Sequence, residues 1–209
     1  CFPFKDKNRS TVAWINIDGI HQSDILGKLG ECFGLHPLIV EDIMNTDQRP
    51  KMEDFEEYSY IALKTLHFNG KHGEIITEQV SLIVGENFVI SFQEQEVDIF
   101  HTIRDRIRTN KGRIKKMGAD YLAYCLLDAI IDNYFIIIET LGEKIESLED
   151  ELVSNPTPKV LRAIYNLKRN LILLRRSVWP LREVIGLLEK GESLRFKEST
   201  RIYFKDIYD

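Results

Sequence analysis

Three cysteines, five histidines and two tryptophans are all that 209 residues hold of the side chains that most often mark metal, redox or stacking chemistry. Cys1, Cys32 and Cys125 fall in no metal-ligand spacing, and their odd number argues against a disulfide framework, so a reducing compartment is the expectation. No two histidines share a helical face with a third ligand; His67 and His72 only flank a turn, which leaves no zinc pattern. No basic stretch leads into an apolar run near the start, so no signal peptide is visible. An uninterrupted apolar run of about 18 residues is missing too. The most apolar stretch, residues 121–138, is broken by Asp128, Asp132 and Asn133, and taken alone the chain is not expected to cross a membrane. Gly27, Gly30 and Gly34 lack the order of a dinucleotide fingerprint, and no nucleophile-elbow motif occurs.

What is present describes a folded protein. Hydrophobic residues make up 44% and charged residues 29% of the chain, too apolar for disorder and enough for one large domain or two small ones. The net charge of −5 disfavours a nucleic-acid partner, but the charges are blocked rather than mixed. Residues 104–116 carry seven cations and one acid, Asp105. Residues 139–151 carry six acids and one cation, Lys144. Arg162, Lys168, Arg169, Arg175, Arg176 and Arg182 then restore a basic stretch.

The first half alternates strand and helix signals. Residues 12–17 read as a strand and residues 23–33 as a short helix with Ile25 and Leu29 four apart. A second short helix follows His36-Pro37, where proline's missing N–H costs nothing. Residues 60–66, 79–84 and 88–92 predict an antiparallel meander, with Phe88, Ile90 and Phe92 on one face. Residues 98–108 predict a helix with Ile99, Ile103 and Ile107 four apart. The second half is helical. A long helix over residues 120–153 is broken at Ser154-Asn155-Pro156-Thr157-Pro158, where Thr157 can cap the next helix. There Leu171, Leu174, Val178, Leu181, Ile185 and Leu188 alternate four and three, a heptad seam. So short a break makes an antiparallel hairpin that sets the acidic block roughly against the basic one. Pro180 is expected to kink its second helix. A last helix starts near Glu198. The absence of an initial Met and the helix still open at Asp209 read as a piece of a longer chain.

Asp128 and Asp132 sit four apart inside Leu126-Leu127-Asp128-Ala129-Ile130-Ile131-Asp132. Carboxylates so placed need a hydrogen bond, a basic partner or a cation. Two readings stay open: acids satisfied by arginines or helix N-termini, and a site for a hard, oxygen-ligated cation. Glu41-Asp42 and, on the last helix, Asp206 and Asp209 would each read as ordinary surface acids. The basic run lacks interleaved aromatics and reads as a solvated, salt-bridged face ahead of one that contacts phosphate or lipid.

The segment His36-Pro37-Leu38-Ile39-Val40-Glu41-Asp42-Ile43-Met44-Asn45-Thr46-Asp47-Gln48-Arg49-Pro50-Lys51 resembles the CorA family of divalent-cation channels, in its cytoplasmic N-terminal domain. Glu78-Gln79-Val80-Ser81, Phe88-Val89-Ile90-Ser91-Phe92-Gln93-Glu94, Ala119-Asp120-Tyr121-Leu122, Leu167-Lys168-Arg169-Asn170-Leu171, Trp179-Pro180-Leu181-Arg182-Glu183 and Tyr203-Phe204-Lys205-Asp206-Ile207-Tyr208-Asp209 continue it in order, over about residues 12–209. The resemblance implies an α/β (α+β) fold: a mixed sheet sandwiched between helices over residues 1–195, a helical hairpin at about 119–190, and the start of a stalk helix at 196–209. It implies a non-enzyme, the Mg²⁺-sensing part of a homopentamer on the cytoplasmic side of the cell's inner membrane. Missing C-terminal helices would supply the membrane anchor and the Gly-Met-Asn selectivity motif, for which Ile43-Met44-Asn45 is no substitute. The resemblance implies that the carried ion would be Mg²⁺, also Co²⁺ or Ni²⁺. Regulatory Mg²⁺, with Co²⁺ or Ca²⁺ as substitutes, would lie between Asp42 and Asp206 of the next subunit. Glu41 and Asp128 match a second site, with Asp132 beside it. The alternatives are a protein-interaction scaffold using the hairpin, a zinc-transporting member of the same superfamily, and, more weakly supported, a metal-dependent hydrolase built on Asp128 and Asp132.

Overall fold

A computed structural model describes residues 11–20, 23–69, 73–95 and 99–208. Five strands form one mixed sheet: β1 (Ala13–Asp18), β2 (Lys51–Asp54), β3 (Ser59–Phe68), β4 (Ile75–Val84) and β5 (Phe88–Gln93). The strand order is β1-β5-β4-β3-β2; β1 runs parallel to β5, and every other pair is antiparallel. The meander is therefore as expected, and β1 is added to it through a crossover that carries the first two helices. Six helices complete the chain: α1 (Ser23–Phe33), α2 (Pro37–Met44), α3 (His101–Arg108), α4 (Ala119–Ser154), α5 (Pro158–Lys190) and α6 (Glu198–Tyr208).

Alternation along the strands explains the layering. Tyr60, Ala62, Ile83, Phe88, Ile90 and Phe92 point to one face, where Leu26 and Phe33 of α1 and Ile39 and Ile43 of α2 cover them. Ile61, Leu63, Val80, Leu82, Val84 and Val89 point to the other, under α4, the second half of α5, and Phe204 of α6. With both faces covered, β5 is buried along its whole length. α2 starts as its sequence dictates: Pro37 takes the first position, and the His36 Nδ1 accepts the Leu38 N–H at 3.3 Å. At α5, the Thr157 hydroxyl accepts the Val160 N–H, and Gly191 closes the helix in the left-handed region at φ 77°.

At several points the structure departs from these expectations or adds to them. β2 was not legible, because three of its four residues are charged; it is the sheet's edge, where charge blocks further pairing. α3 begins at His101, with Ile99 and Phe100 in the preceding turn, and Asp98 lies outside the described residues. Leu171 leaves the heptad seam and is exposed. At that level α5 is held by buried Asn170, whose Nδ2 donates to the Gly73 carbonyl and whose Oδ1 accepts the Ile75 N–H, both at 3.0 Å. The acidic and basic blocks of α4 and α5 run past each other, yet among the described residues no ion pair joins the two helices. α5 continues through Pro180 as one helix. Finally, α4 is long and apolar enough to cross a membrane by length and composition, since two acids do not offset its aliphatics; more than half of that stretch is buried inside the fold, as for a core helix.

Candidate metal sites

The acids fall in two groups on opposite layers of the sheet. Glu41 and Asp42 occupy the last turn of α2. Glu41 is exposed, whereas Asp42 is drawn inward by partners from three directions. Its Oδ2 accepts from Lys51 Nζ at 2.6 Å, its Oδ1 accepts from Gln48 Nε2 at 2.8 Å, and its carbonyl accepts from Gln79 Nε2 at 2.9 Å. Lys51 also reaches Glu53 at 2.7 Å. Burial works against charge on Lys51, but its hydrogen bonds to Asp42 and Glu53 outweigh it and hold the ammonium above its usual range. Asp42 thus already has a tethered cation, and a metal ion there must share or displace it.

The second group lies on α4 and α6. Asp128 is half-buried, one turn from exposed Asp132, and exposed Asp206 on α6 is close enough for its field to act on Asp128. Burial pushes the Asp128 carboxyl up; the negative fields of Asp132 and Asp206 add to this, and Arg106 and a hydrogen bond with Tyr124 offset only part. Burial, with the fields of Asp128 and Asp206, likewise drives the Tyr124 hydroxyl up. This is an under-neutralised patch of hard oxygen donors, the chemistry that suits Mg²⁺ better than a soft metal; the neighbouring Cys125 thiol is buried, and burial pushes it up to about 11, away from the thiolate a soft metal would need. Among the described residues no three acidic, histidine or cysteine side chains converge closely enough to hold a metal ion. One chain therefore brings Asp128, Asp132 and Asp206 to one surface and Glu41 and Asp42 to another, without closing a site. Asp209 lies outside the described residues.

α6 is positioned by aromatic packing and one buried acid. Tyr203 lies 5.2 Å from the rings of both Tyr121 and Tyr124, and Phe204 meets Tyr124 edge-on at 5.6 Å. Asp120, at the start of α4, accepts from the Thr200 hydroxyl at 2.6 Å and from the Lys197 N–H at 3.2 Å, so it caps α6 from a different helix. Lys51, Gln48, Arg106, Tyr124 and Asp120 were not singled out as individual side chains from the sequence. All but Arg106 stand within or beside the resembling segments, but nothing in local spacing ties any of them to these acids. Buried Glu78, its Oε1 without a hydrogen-bond partner and 3.6 Å from His67 Nε2, belongs to neither group.

The acidic patch has a measurable cost. The folded-state pKa of Asp128 lies above its ordinary 3.8, so the fold binds this proton more tightly than the unfolded chain does. Stability from this group falls as pH rises from the unfolded value through the raised one, and the whole penalty is present at neutral pH. Asp128→Asn is expected to stabilise the metal-free protein at neutral pH by less than about 1 kcal/mol, because the patch is partly solvated, and to flatten the slope above about pH 4. Urea unfolding across that range, with a chelator present, checks it.

Known proteins supply the context. The family model described as CorA-like Mg²⁺ transporter protein matches residues 9–209. The cobalt/magnesium transport protein CorA of Thermotoga maritima is 45% identical over 207 residues, 99% of this chain and 58% of that protein, so the chain spans well under two thirds of that relative. The soluble domain of CorA from Methanocaldococcus jannaschii superposes with a TM-score of 0.78 at 23% identity, over 90% of this chain and 74% of that one. The complete CorA magnesium transporter of the same organism gives 0.80 at 23% identity, over 93% and 61%. The two structures share the mixed sheet and helical layers described above. The match of the family's model to almost the whole chain, with the close Thermotoga relative, places this chain in the CorA-like Mg²⁺ transporter family.

Proposed function

We propose that the chain is the Mg²⁺-sensing regulatory domain of a homopentameric Mg²⁺ channel, which also takes Co²⁺ or Ni²⁺, and that it is not an enzyme. In this reading it lies on the cytoplasmic side of the cell's inner membrane, residues 1–195 forming the domain and 196–209 the start of the stalk. The observation that carries the reading is the division of the acids. Asp128, Asp132 and Asp206 make an under-neutralised patch on one layer, Glu41 and Asp42 stand on the other, and neither group closes a site alone. A second copy that sets the α2 end of one subunit against α6 of the next would pair Asp42 with Asp206 and Glu41 with Asp128. Mg²⁺ between them turns carboxylate repulsion, about 4 kcal/mol for charges about 4 Å apart at an effective dielectric near 20, into a bridge. Such sites would be weak and partly water-mediated, because Mg²⁺ gives up its water reluctantly. Weak sites repeated around a ring suit a sensor. Occupied interfaces hold the ring shut, and depletion lets the acids repel and the ring open.

Lys51 sets the threshold in this scheme, since it neutralises Asp42 until metal arrives. In thermal unfolding with rising MgCl₂ against an ionic-strength-matched NaCl control, the melting temperature should rise, by the equivalent of about 2.7 kcal/mol at a hundredfold excess over Kd. Asp42→Asn with Asp206→Asn should abolish the rise, and Lys51→Met should bring it in at lower Mg²⁺. A rise that survives the double substitution unchanged would sink the assignment. No rise at all in the wild-type protein, at concentrations where copies associate, would favour the scaffold reading.

A further inference from the structure

One broad, open cleft belongs to none of these acids. It has a volume of about 680 Å³ and lies between the turn after α2, Lys64 of β3 with Thr77 of β4, and the middle of α5. Cations from three elements converge on it: Arg49 from the turn, Lys64 from β3, and Arg175 and Arg176 from α5. Asp47 is the one carboxylate in its lining. Among the described residues, none of the four cations has a carboxylate within 4 Å. Lys64 is half-buried and donates to the Thr46 carbonyl; burial lowers its pKa against the raising fields of Glu94 and Asp47, so an anion would relieve a desolvated ammonium. The wall carries Trp179, 63% exposed, with the Arg175 guanidinium 5.9 Å from its ring centroid. An indole of this size left in water beside a guanidinium offers a stacking face.

We propose that this cleft binds a phosphorylated small molecule bearing a flat ring, of the nucleoside polyphosphate class, with the four cations holding the phosphates and Trp179 taking the ring. Convergence separates this from an ordinary solvated basic face. Cations on one helix would be spread around its circumference, whereas these come from a turn, a strand and a helix to surround one concavity. Its volume falls within the range of about 300–1,000 Å³ usual for small-molecule sites. Arginine forks recognise phosphate oxygens in pairs, and a bound polyphosphate balances the excess of cations over Asp47. The site does not rest on the Mg²⁺ reading. Gln48 lies in its lining and donates to Asp42, so the two are neighbours, but the cleft is complete within one chain.

Calorimetric titration of the protein with ATP, adenosine and pyrophosphate, in EDTA and low salt, tests it without involving any metal site. ATP should bind saturably, pyrophosphate more weakly and adenosine weakest, with affinity falling as salt is added. Arg175→Ser with Arg176→Ser, both exposed on α5, should weaken ATP by at least about tenfold without shifting the melting temperature. Trp179→Ala should bring ATP down to the affinity of pyrophosphate and leave pyrophosphate unchanged. No saturable binding of ATP, binding that survives the double arginine substitution, or equal affinity for ATP and pyrophosphate in the unsubstituted protein would each overturn the proposal. Because chelator is present throughout, none of these outcomes bears on whether Mg²⁺ bridges Asp42 and Asp206.

Discussion

Phe204→Ala is expected to cost about 3–5 kcal/mol of folding stability, a large share of the 5–15 kcal/mol typical of a domain. Phe204 is fully buried, meets Tyr124 edge-on with the rings at 90° and Phe196 at 75°, and is the main apolar anchor of α6 on the core. Its loss leaves a ring-sized void bounded by two aromatic side chains that cannot both collapse into it. Urea unfolding should show the drop, and Phe204→Leu, which keeps most of the volume, should cost about 1 kcal/mol. A second readout follows from position. Asp206 is two residues further along α6, so loosening α6 removes its field from Asp128. The upward shift of the Asp128 carboxyl should shrink in Phe204→Ala, as followed by side-chain carboxyl NMR titration. A stability loss with the Asp128 titration unmoved would mean that α6 keeps its place by other contacts.

The fold was legible wherever periodicity and caps coincide. Phe88, Ile90 and Phe92 do face one layer while Val89 faces the other, and Thr157-Pro158 does start α5. Legibility ended where a partner lies far along the chain. β2 pairs through its backbone, with Met52 opposite Ile61 and Glu53 opposite Tyr60, and its charged residues give no strand pattern. Leu171 satisfies a heptad count, but a buried Asn170 clamping the β3–β4 turn turns that part of α5 away from the seam. The acids were legible as residues and not as groups. Spacing relates Asp128 to Asp132 on one helix, but only the packing of α6 on α4 brings Asp206 to them. Nothing local to Asp42 announces that Lys51, nine residues on, holds its carboxylate at 2.6 Å.

Asp120 is where these threads meet, and its removal is the second large effect expected. Its carboxylate is 3% exposed, and one oxygen accepts from both the hydroxyl of fully buried Thr200 and the Lys197 N–H, tying the first turn of α4 to the first turn of α6. Gly118 leaves room for it, since a Cβ there would stand 2.6 Å from Asp120 Oδ1. Asp120→Ala strands a buried hydroxyl and a helix N-terminal amide together, at a cost of about 3 kcal/mol. Thr200→Val removes the hydroxyl but keeps the shape and should cost less. In the double variant the lost bond is counted once, so a double-mutant cycle should return a coupling of about 1–2 kcal/mol between the two positions. Additive losses would place the Asp120 contribution elsewhere, in the cap to Lys197. The same cycle bears on the proposed sensor. Asp120 is a positioning residue with no place among the acids argued to meet Mg²⁺, and Asp206 lies on the helix that it caps. If interface metal depends on α6 standing where it does, Asp120→Ala should weaken the Mg²⁺-dependent rise in melting temperature beyond its effect on the metal-free protein. Asp120→Asn, which keeps an acceptor oxygen for Thr200, should restore most of it.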